Sequence, residues 1–328
     1  MTQRDTNVPR TDNREPAVTT IGFLLIPGFA LLAYASAVEP LRAANRLSGR
    51  ELYRWLHVSI DGAPAPASSG VAFPPDHTYR DEPRLDAVIV CAGGNPATFD
   101  HAPTFAWLRQ QARRGVTLGG ISGGPYILAR ANLLAGYRFT LHWEHAPAFV
   151  EDYPDLDLRR SLYEIDRDRL TSSGGTAPLD MMHALIARQH GPDLARAVSE
   201  WFLQTQVREG TQPQRMSARE RYGVSHPGLL AVLGRMERQI ENPPSRAALA
   251  AEAGLSERQL ERLFARHLGR TPGAHALHLR LARARDLLRQ TSLSILEIAL
   301  ACGFASASHF SRVYKGRYGH APRGERSS

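Results

Sequence analysis

Cysteine is nearly absent: Cys91 and Cys302 are the only two in 328 residues, and they fall in segments of different character. A pair so placed excludes a disulfide framework and points to a reducing, cytoplasmic setting. Neither has a companion at zinc-ligand spacing, so no metal and no cofactor is expected. No apolar run reaches the roughly 18 residues of a membrane span, so no membrane partner is expected. The opening stretch, "MTQRDTNVPRTDNREP", lacks the apolar segment of a secretory signal and reads as a flexible leader, 1–18. An acidic excess is missing too. Lys+Arg number 40 against 32 Asp+Glu, a net charge of +8. From His226 to Ser328 there are 16 basic and 8 acidic residues, which leaves 24 of each before it. The whole excess sits in the last third. A neutral unit joined to a basic one suggests a nucleic-acid partner for the basic part, although an arginine-rich solvated surface gives the same count.

What is present begins with alternation. "TIGFLLIPG", "YRWLHVSIDG", "LDAVIVCAGG" and "VTLGGIS" read as buried strands. Helices through "AYASAVEPLRAANRL" and "PTFAWLRQQARRG" separate them, the latter stopped by Gly115. This order predicts a doubly wound, flavodoxin-like parallel sheet covered on both faces, over 19–210. Ligands in such sheets bind outside the carboxyl ends of the strands, where Gly93, Gly94 and Ser122 fall. Further on, "YRFTLHWEHAPAFVEDYP" reads as a short strand and a helix, and "SLYEIDRDRLTSSGG" as a hairpin. "APLDMMHALIARQHG" and "PDLARAVSEWFLQTQVREG" read as two closing helices. Residues 211–225 are polar without an apolar period, a linker to an all-α unit over 226–328.

That basic unit contains a degenerate duplication. "LAAEAGLSERQLERLFARHLGRTP" aligns with "IALACGFASASHFSRVYKGRYGHAP": Leu260 pairs with Phe310, Phe264 with Tyr314 and Gly269 with Gly319. Each copy has a short helix, a turn at glycine and a longer helix, the form of a helix-turn-helix. Ser256 and Ser306 stand as N-caps, and Ser256 with Gln259 makes a capping box. The apolar positions face inward. That leaves Ser256, Glu257, Arg258, Gln259 and Arg262 toward DNA in the first copy, and Ser306, Ala307, Ser308, His309, Arg312 and Lys315 in the second. The leucine-striped "GAHALHLRLARARDLLRQ" between them reads as a rigid spacer, setting two reading heads about one DNA turn, ~34 Å, apart.

One motif points elsewhere. Gly120-Ile121-Ser122-Gly123-Gly124 satisfies the G-x-S-x-G pattern of a serine nucleophile elbow, which needs a histidine oriented by an acid. No Asp or Glu lies between Ser122 and His142. Tight glycine turns after strands also arise for steric reasons alone.

With these motifs in view, residues 226–322 resemble the AraC/XylS family of transcription activators, most specifically in "GFASASHFSRVYKGRYGHAP". The resemblance implies a promoter double-stranded DNA site and contact with RNA polymerase. Residues 20–206 resemble the amidotransferase-like fold of PfpI-type proteins and the sensor domain of the GlxA subgroup of AraC regulators. The matching pieces are "AVEPLRAANRL", "VIVCAGG", "GGISGGPYILARANLLAG", "LHWEH" and "LTSSGGTAPLDMM". In catalytic relatives the elbow carries cysteine followed by histidine, with a glutamate nearby. Here Ser122 and Gly123 replace the first two, and Glu39 matches the glutamate. A hydroxyl without an adjacent base is a poor nucleophile. The elbow is therefore expected to serve as a cradle for an anionic group, with Glu39, Gly94, Ser122, Gly123, His142 and Trp143 around a small-molecule effector. The subgroup resemblance implies an amino acid or a quaternary amine such as betaine or carnitine. The expected protein is a homodimeric, ligand-responsive activator rather than an enzyme. Two rivals are a bifunctional hydrolase or amidase using Ser122, and an architectural DNA binder without an effector.

Overall fold

The computed structural model describes residues 18–291 and 293–327, so the expected leader lies, apart from Val18, outside the described residues. Strand β1 (Thr19–Leu25) leads into helix α1 (Leu31–Ser48), and the chain returns as β2 (Tyr53–Ser59). A small hairpin, β3 (Ala65–Pro66) with β4 (Ala72–Phe73), and an edge strand β5 (His77–Thr78) precede β6 (Ala87–Ala92). Helix α2 (Ala102–Arg113), strand β7 (Thr117–Ser122) and helices α3 (Gly124–Arg130) and α4 (Ala146–Asp152) follow. The hairpin β8 (Tyr163–Asp166) and β9 (Arg169–Ser172), then α5 (Ala177–His190) and α6 (Pro192–Trp201), complete the unit.

The sheet order is β5-β2-β1-β6-β7-β9-β8, parallel throughout except for the β8–β9 pair. Every residue of β6 is buried, as a central strand covered on both faces requires. Phe23 and Ile89 pack with Met182 on one side, while Leu24, Val88 and Val90 pack with Tyr126 on the other, so neighbouring residues serve opposite cores. The order reverses between β1 and β6, and Ser122 stands at the carboxyl end of β7, beside Ala92 at the end of β6.

Two expected elements differ. "YRFTL" supplies a single bridge, Phe139 with Leu158, rather than a strand. The last helix stops at Trp201 instead of reaching 210. Its cause is Asp180, a fully buried carboxylate that accepts bonds from Gln204 Nε2 and from the backbone and guanidinium of Arg208. An ionised group out of water must be surrounded by donors, and folding residues 203–208 back supplies them.

Residues 211–225 are anchored at both ends rather than free. Gln214 Nε2 donates to Thr140 Oγ1, Leu141 O and Ser161 O at 3.0, 3.0 and 2.8 Å. A Ser217–Glu220 capping box starts α7 (Ala218–Tyr222), and Val224 is buried in the next core. The C-terminal unit then runs through α8 (Pro227–Arg238), α9 (Arg246–Glu252), α10 (Glu257–Leu268), α11 (Pro272–Gln290), α12 (Ile295–Ala301) and α13 (Ala307–Tyr318). Leu249, Leu260 and Phe264 close one core with α8, and Ile298, Phe310 and Tyr314 close the other with α11. The 19-residue α11 is about 28 Å long at 1.5 Å per residue.

A short turn after α13 locks the second core. Glu325, 3% exposed, accepts from Arg285 and Arg289 on α11 and from the Tyr314 hydroxyl on α13. Glu325→Ala strands that hydroxyl and both guanidinium contacts. It should cost about 2 kcal/mol in urea unfolding.

Candidate ligand pocket and nucleic-acid interface

Ser122 sits at a sharp strand-to-helix turn with φ 58°, one of five described non-glycine residues with positive φ. The flanking glycines make the turn possible. A Cβ on Gly120 would meet Pro125 N at 2.6 Å, and one on Gly124 would run into Val90 O. The motif is thus a real elbow. Its chemistry is incomplete: among the described residues, no group hydrogen-bonds Ser122 Oγ. His142 is held instead by its backbone, its N–H donating to Ser122 O at 3.2 Å, and its ring lies 3.7 Å from Glu144.

The elbow, expected to cradle an anion, does not line the cavity beside it. The Gly123 N–H already donates to Ala92 O at 3.1 Å, and Pro125 has none to offer. The cradle lies across the pocket. In Ser173-Gly174-Gly175-Thr176, Gly174 and Gly175 have φ of 94° and 57°. The N–H groups of Gly174, Gly175 and Thr176 have no partner among the described residues, and they lead into α5. Successive free amides of this kind make an anion-binding concavity. Gly174 is obligatory, since a Cβ there would meet Ser122 Cβ at 2.8 Å. Arg208 bonds Thr176 Oγ1 at 2.8 Å from the rim.

His142 and Trp143 join this loop, Arg208 and Gln214 around a cavity of about 210 Å³. That is below the roughly 300–1,000 Å³ of drug-sized sites, so it suits a small metabolite. Trp143, 40% exposed, already carries the Arg215 guanidinium 4.7 Å from its ring centroid, a cation–π contact. Four expected members do not line it: Ser122, whose Cβ lies against Gly174, together with Gly123, Glu39 and Gly94. Glu39 pairs with Arg42 three residues on, Nε to Oε2 at 2.8 Å, and Gly94 turns the chain after β6 without lining the cavity.

The turn over this pocket also touches the C-terminal unit. His145, 4% exposed, contacts Gln290 Oε1 of α11 from Nδ1 at 3.3 Å. Burial and the neighbouring His142 push its pKa down to about 4, so at neutral pH the uncharged ring donates from Nδ1. Ala148 packs in the core of the second helix-turn-helix, Arg283 Nη2 donates to Pro147 O, and Asn95 Nδ2 donates to Arg289 O.

The two copies of the duplication are alike in burial. Leu260 and Phe264 are buried, as are Phe310 and Tyr314, and Ser256, Arg258, Gln259, Arg262, Ser306, Ser308, His309, Arg312 and Lys315 are exposed. Ser256 and Gln259 bond each other in the capping box, and Ser306 caps the His309 N–H. Glu257 is exposed but lies 3.9 Å from Arg246. Ala307 departs from the expectation: as the first residue of α13 it is half-buried, not outward.

Comparison with known proteins agrees with both halves. Residues 21–188 match the DJ-1/PfpI family and 249–328 match a helix-turn-helix domain. The HTH-type transcriptional regulator CdhR of Pseudomonas aeruginosa is 48% identical over 93% of this chain and 90% of its own. GlxA of Rhizobium meliloti, also an HTH-type transcriptional regulator, is 47% identical over 93% and 94%. A solved AraC family transcriptional regulator from Pseudomonas putida covers 56% of this chain and 99% of its own, with 26% identity and a TM-score of 0.52. The chain belongs to the AraC family of transcriptional regulators, with a DJ-1/PfpI-type N-terminal domain.

In this regulator the pocket residues missed from sequence are Gly174, Gly175, Thr176, Arg208 and Gln214. The "SSGGT" run after a strand and before a helix was the available signal. Arg208 and Gln214 had none, because they reach the pocket only through the fold-back around Asp180 and the anchored 211–225 segment.

His145 gives the domain contact a pH dependence. Its folded pKa, about 4, lies below the ordinary 6.5, so its contribution is complete above pH 6.5 and is lost as pH falls toward 4. His145→Gln should lose about 2 kcal/mol less than the wild type between pH 7 and pH 5, measured by urea unfolding.

Proposed function

We propose that the protein is a cytoplasmic, homodimeric transcription activator that recruits RNA polymerase when a small amino acid or quaternary amine fills the Trp143–Gly175 pocket. The observation that carries this reading is the turn from His142 to Ala148. Its first two residues line the pocket, and His145, Pro147 and Ala148 touch α11, so occupancy and the placement of the DNA-reading units share one structural element. A zwitterion matches the lining. Its carboxylate fits the free amides of Gly174 to Thr176, and its cation fits the Trp143 ring, which already accepts a guanidinium. The ligand acts only insofar as it prefers one arrangement of the domains. Exposed Leu32, Leu47 and Trp201 on α1 and α6 support dimerisation through that face.

Glycine betaine, carnitine and arginine should be titrated into the full chain and followed by melting temperature. One of them should stabilise the wild type by mass action. Ser122→Ala should keep that response and show no lost turnover. A hydrolytic activity that disappears in Ser122→Ala would establish the enzyme reading instead, which the lack of any base at Ser122 Oγ disfavours.

The DNA contacts are proposed at the exposed N-terminal faces of α10 and α13. Arg258→Ala and Arg312→Ala should each weaken promoter binding by about 1–3 kcal/mol per lost base contact, in fluorescence anisotropy at fixed salt. Unchanged affinity in both would place the reading surface elsewhere. The same binding should weaken steeply with added salt as phosphate counterions are retained.

A further inference from the structure

Between the two domains lies a second cavity, about 460 Å³, which meets the effector pocket at Trp143, a residue that lines both. The N-terminal side contributes Arg160 and Arg215, and the DNA-binding side contributes Arg270 and Arg283. Arg160, Arg215 and Arg270 have no carboxylate within ion-pair distance among the described residues. Arg215 rests on Trp143, and Arg270 bonds only Leu268 O at 3.3 Å. Arg283 has Pro147 O at 3.3 Å and Glu151 at 3.7 Å. Two acids face the same space. Glu237 is neutralised by a bidentate pair with Arg221, both contacts at 2.7 Å, and by the Tyr222 hydroxyl. Asp286 has no ion-pair partner, and burial, with Glu144 adding to it, pushes its carboxyl up to about 6.

His275 supplies an independent observation. It is 2% exposed, it lines this cavity, and neither ring nitrogen has a hydrogen-bond partner. Buried imidazole nitrogens are ordinarily satisfied, and leaving one unpaired costs about 1–3 kcal/mol. The ring is uncharged at neutral pH, because burial and the Arg270 charge push its pKa down to about 4. It can therefore donate from one nitrogen into the cavity.

We propose that this interdomain cavity binds a small anion of two or more charges, a di- or tricarboxylate or a phosphate ester, held by Arg215 from one domain and Arg270 and His275 from the other. Such an anion bridges the domains and stabilises the docked arrangement. It is a second effector site, opposite in charge preference to the amine pocket. The proposal goes beyond the proposed function and stands without it.

The test uses the full chain with succinate, citrate, inorganic phosphate and pyrophosphate, each compared with potassium chloride of equal ionic strength. At least one should give a saturable rise in melting temperature below about 10 mM. The carboxylate and phosphate arms separate the two sources of negative charge. Calorimetric affinity for that anion should fall about tenfold or more in the double variant Arg215→Gln with Arg270→Gln. His275→Gln, which keeps a donor, should weaken it less than His275→Leu. Response to whichever amine fills the effector pocket is a separate readout and does not decide the anion question. No shift beyond chloride with any of the four anions overturns the proposal, as does unchanged affinity in the double variant. If the cavity takes a DNA phosphate instead, the double variant weakens promoter binding while no free anion shifts the melting temperature, and that result also overturns it.

Discussion

The turn from His142 to Ala148 belongs to two surfaces at once, and the coupling of the molecule depends on it. At one end the His142 N–H is fixed to Ser122 O, beside the pocket floor. Three residues later the uncharged His145 ring meets the buried amide of Gln290, and Ala148 enters a core whose other members come from α11 to α13. Pulling α11 away would leave a buried imidazole and a buried amide unpaired, a cost that water repays only if both become exposed. Intermediate displacements are therefore the least stable, and an element of this kind favours two discrete positions over gradual sliding.

Helix α11 carries whatever the turn does into both DNA-reading units. Its last turns contribute Leu287 and Leu288 to the second core, and Arg285 and Arg289 clamp it to Glu325 behind α13. Its first turn packs His275 against Phe264 and Tyr222 of the first unit. The clamps are unequal. The second unit is held to the N-terminal domain by direct contacts, whereas the first faces it across a cavity edged by unpaired arginines. Whatever fills that space governs how firmly the first unit is held.

Much of this was legible in the sequence wherever the physics is local. The offset of 50 between the copies reappears as the same burial at Leu260 and Phe310, Phe264 and Tyr314, because period and capping are short-range properties. The elbow was legible because Gly120 answers to Pro125, five residues on, although Gly124 answers to Val90 O on the neighbouring strand β6. Glu39 was misplaced for the converse reason: a local partner, Arg42, takes its carboxylate before the pocket can. The Gly174–Thr176 cradle depends on β9 setting Gly174 against Ser122. The His145–Gln290 contact joins residues 145 apart, and no pattern in either segment announces it.

The same geometry bears on the position where the resemblance to catalytic relatives expects a histidine. In those relatives the residue after the nucleophile is a histidine, and here it is Gly123. A Cβ at Gly123 would lie 3.1 Å from both Cβ and Cγ of Pro96, so a larger side chain there requires Pro96 to give by a few tenths of an ångström. Pro96 is not free to leave. It follows Asn95, whose side chain donates to the Arg289 carbonyl at the end of α11, and it opens the short turn whose Ala97 carbonyl accepts from Arg130. The space beside Gly123 is edged by the segment that bonds the end of α11. Glycine at 123 lets Pro96 approach closely, so a side chain placed there presses on the segment whose Asn95 grips α11.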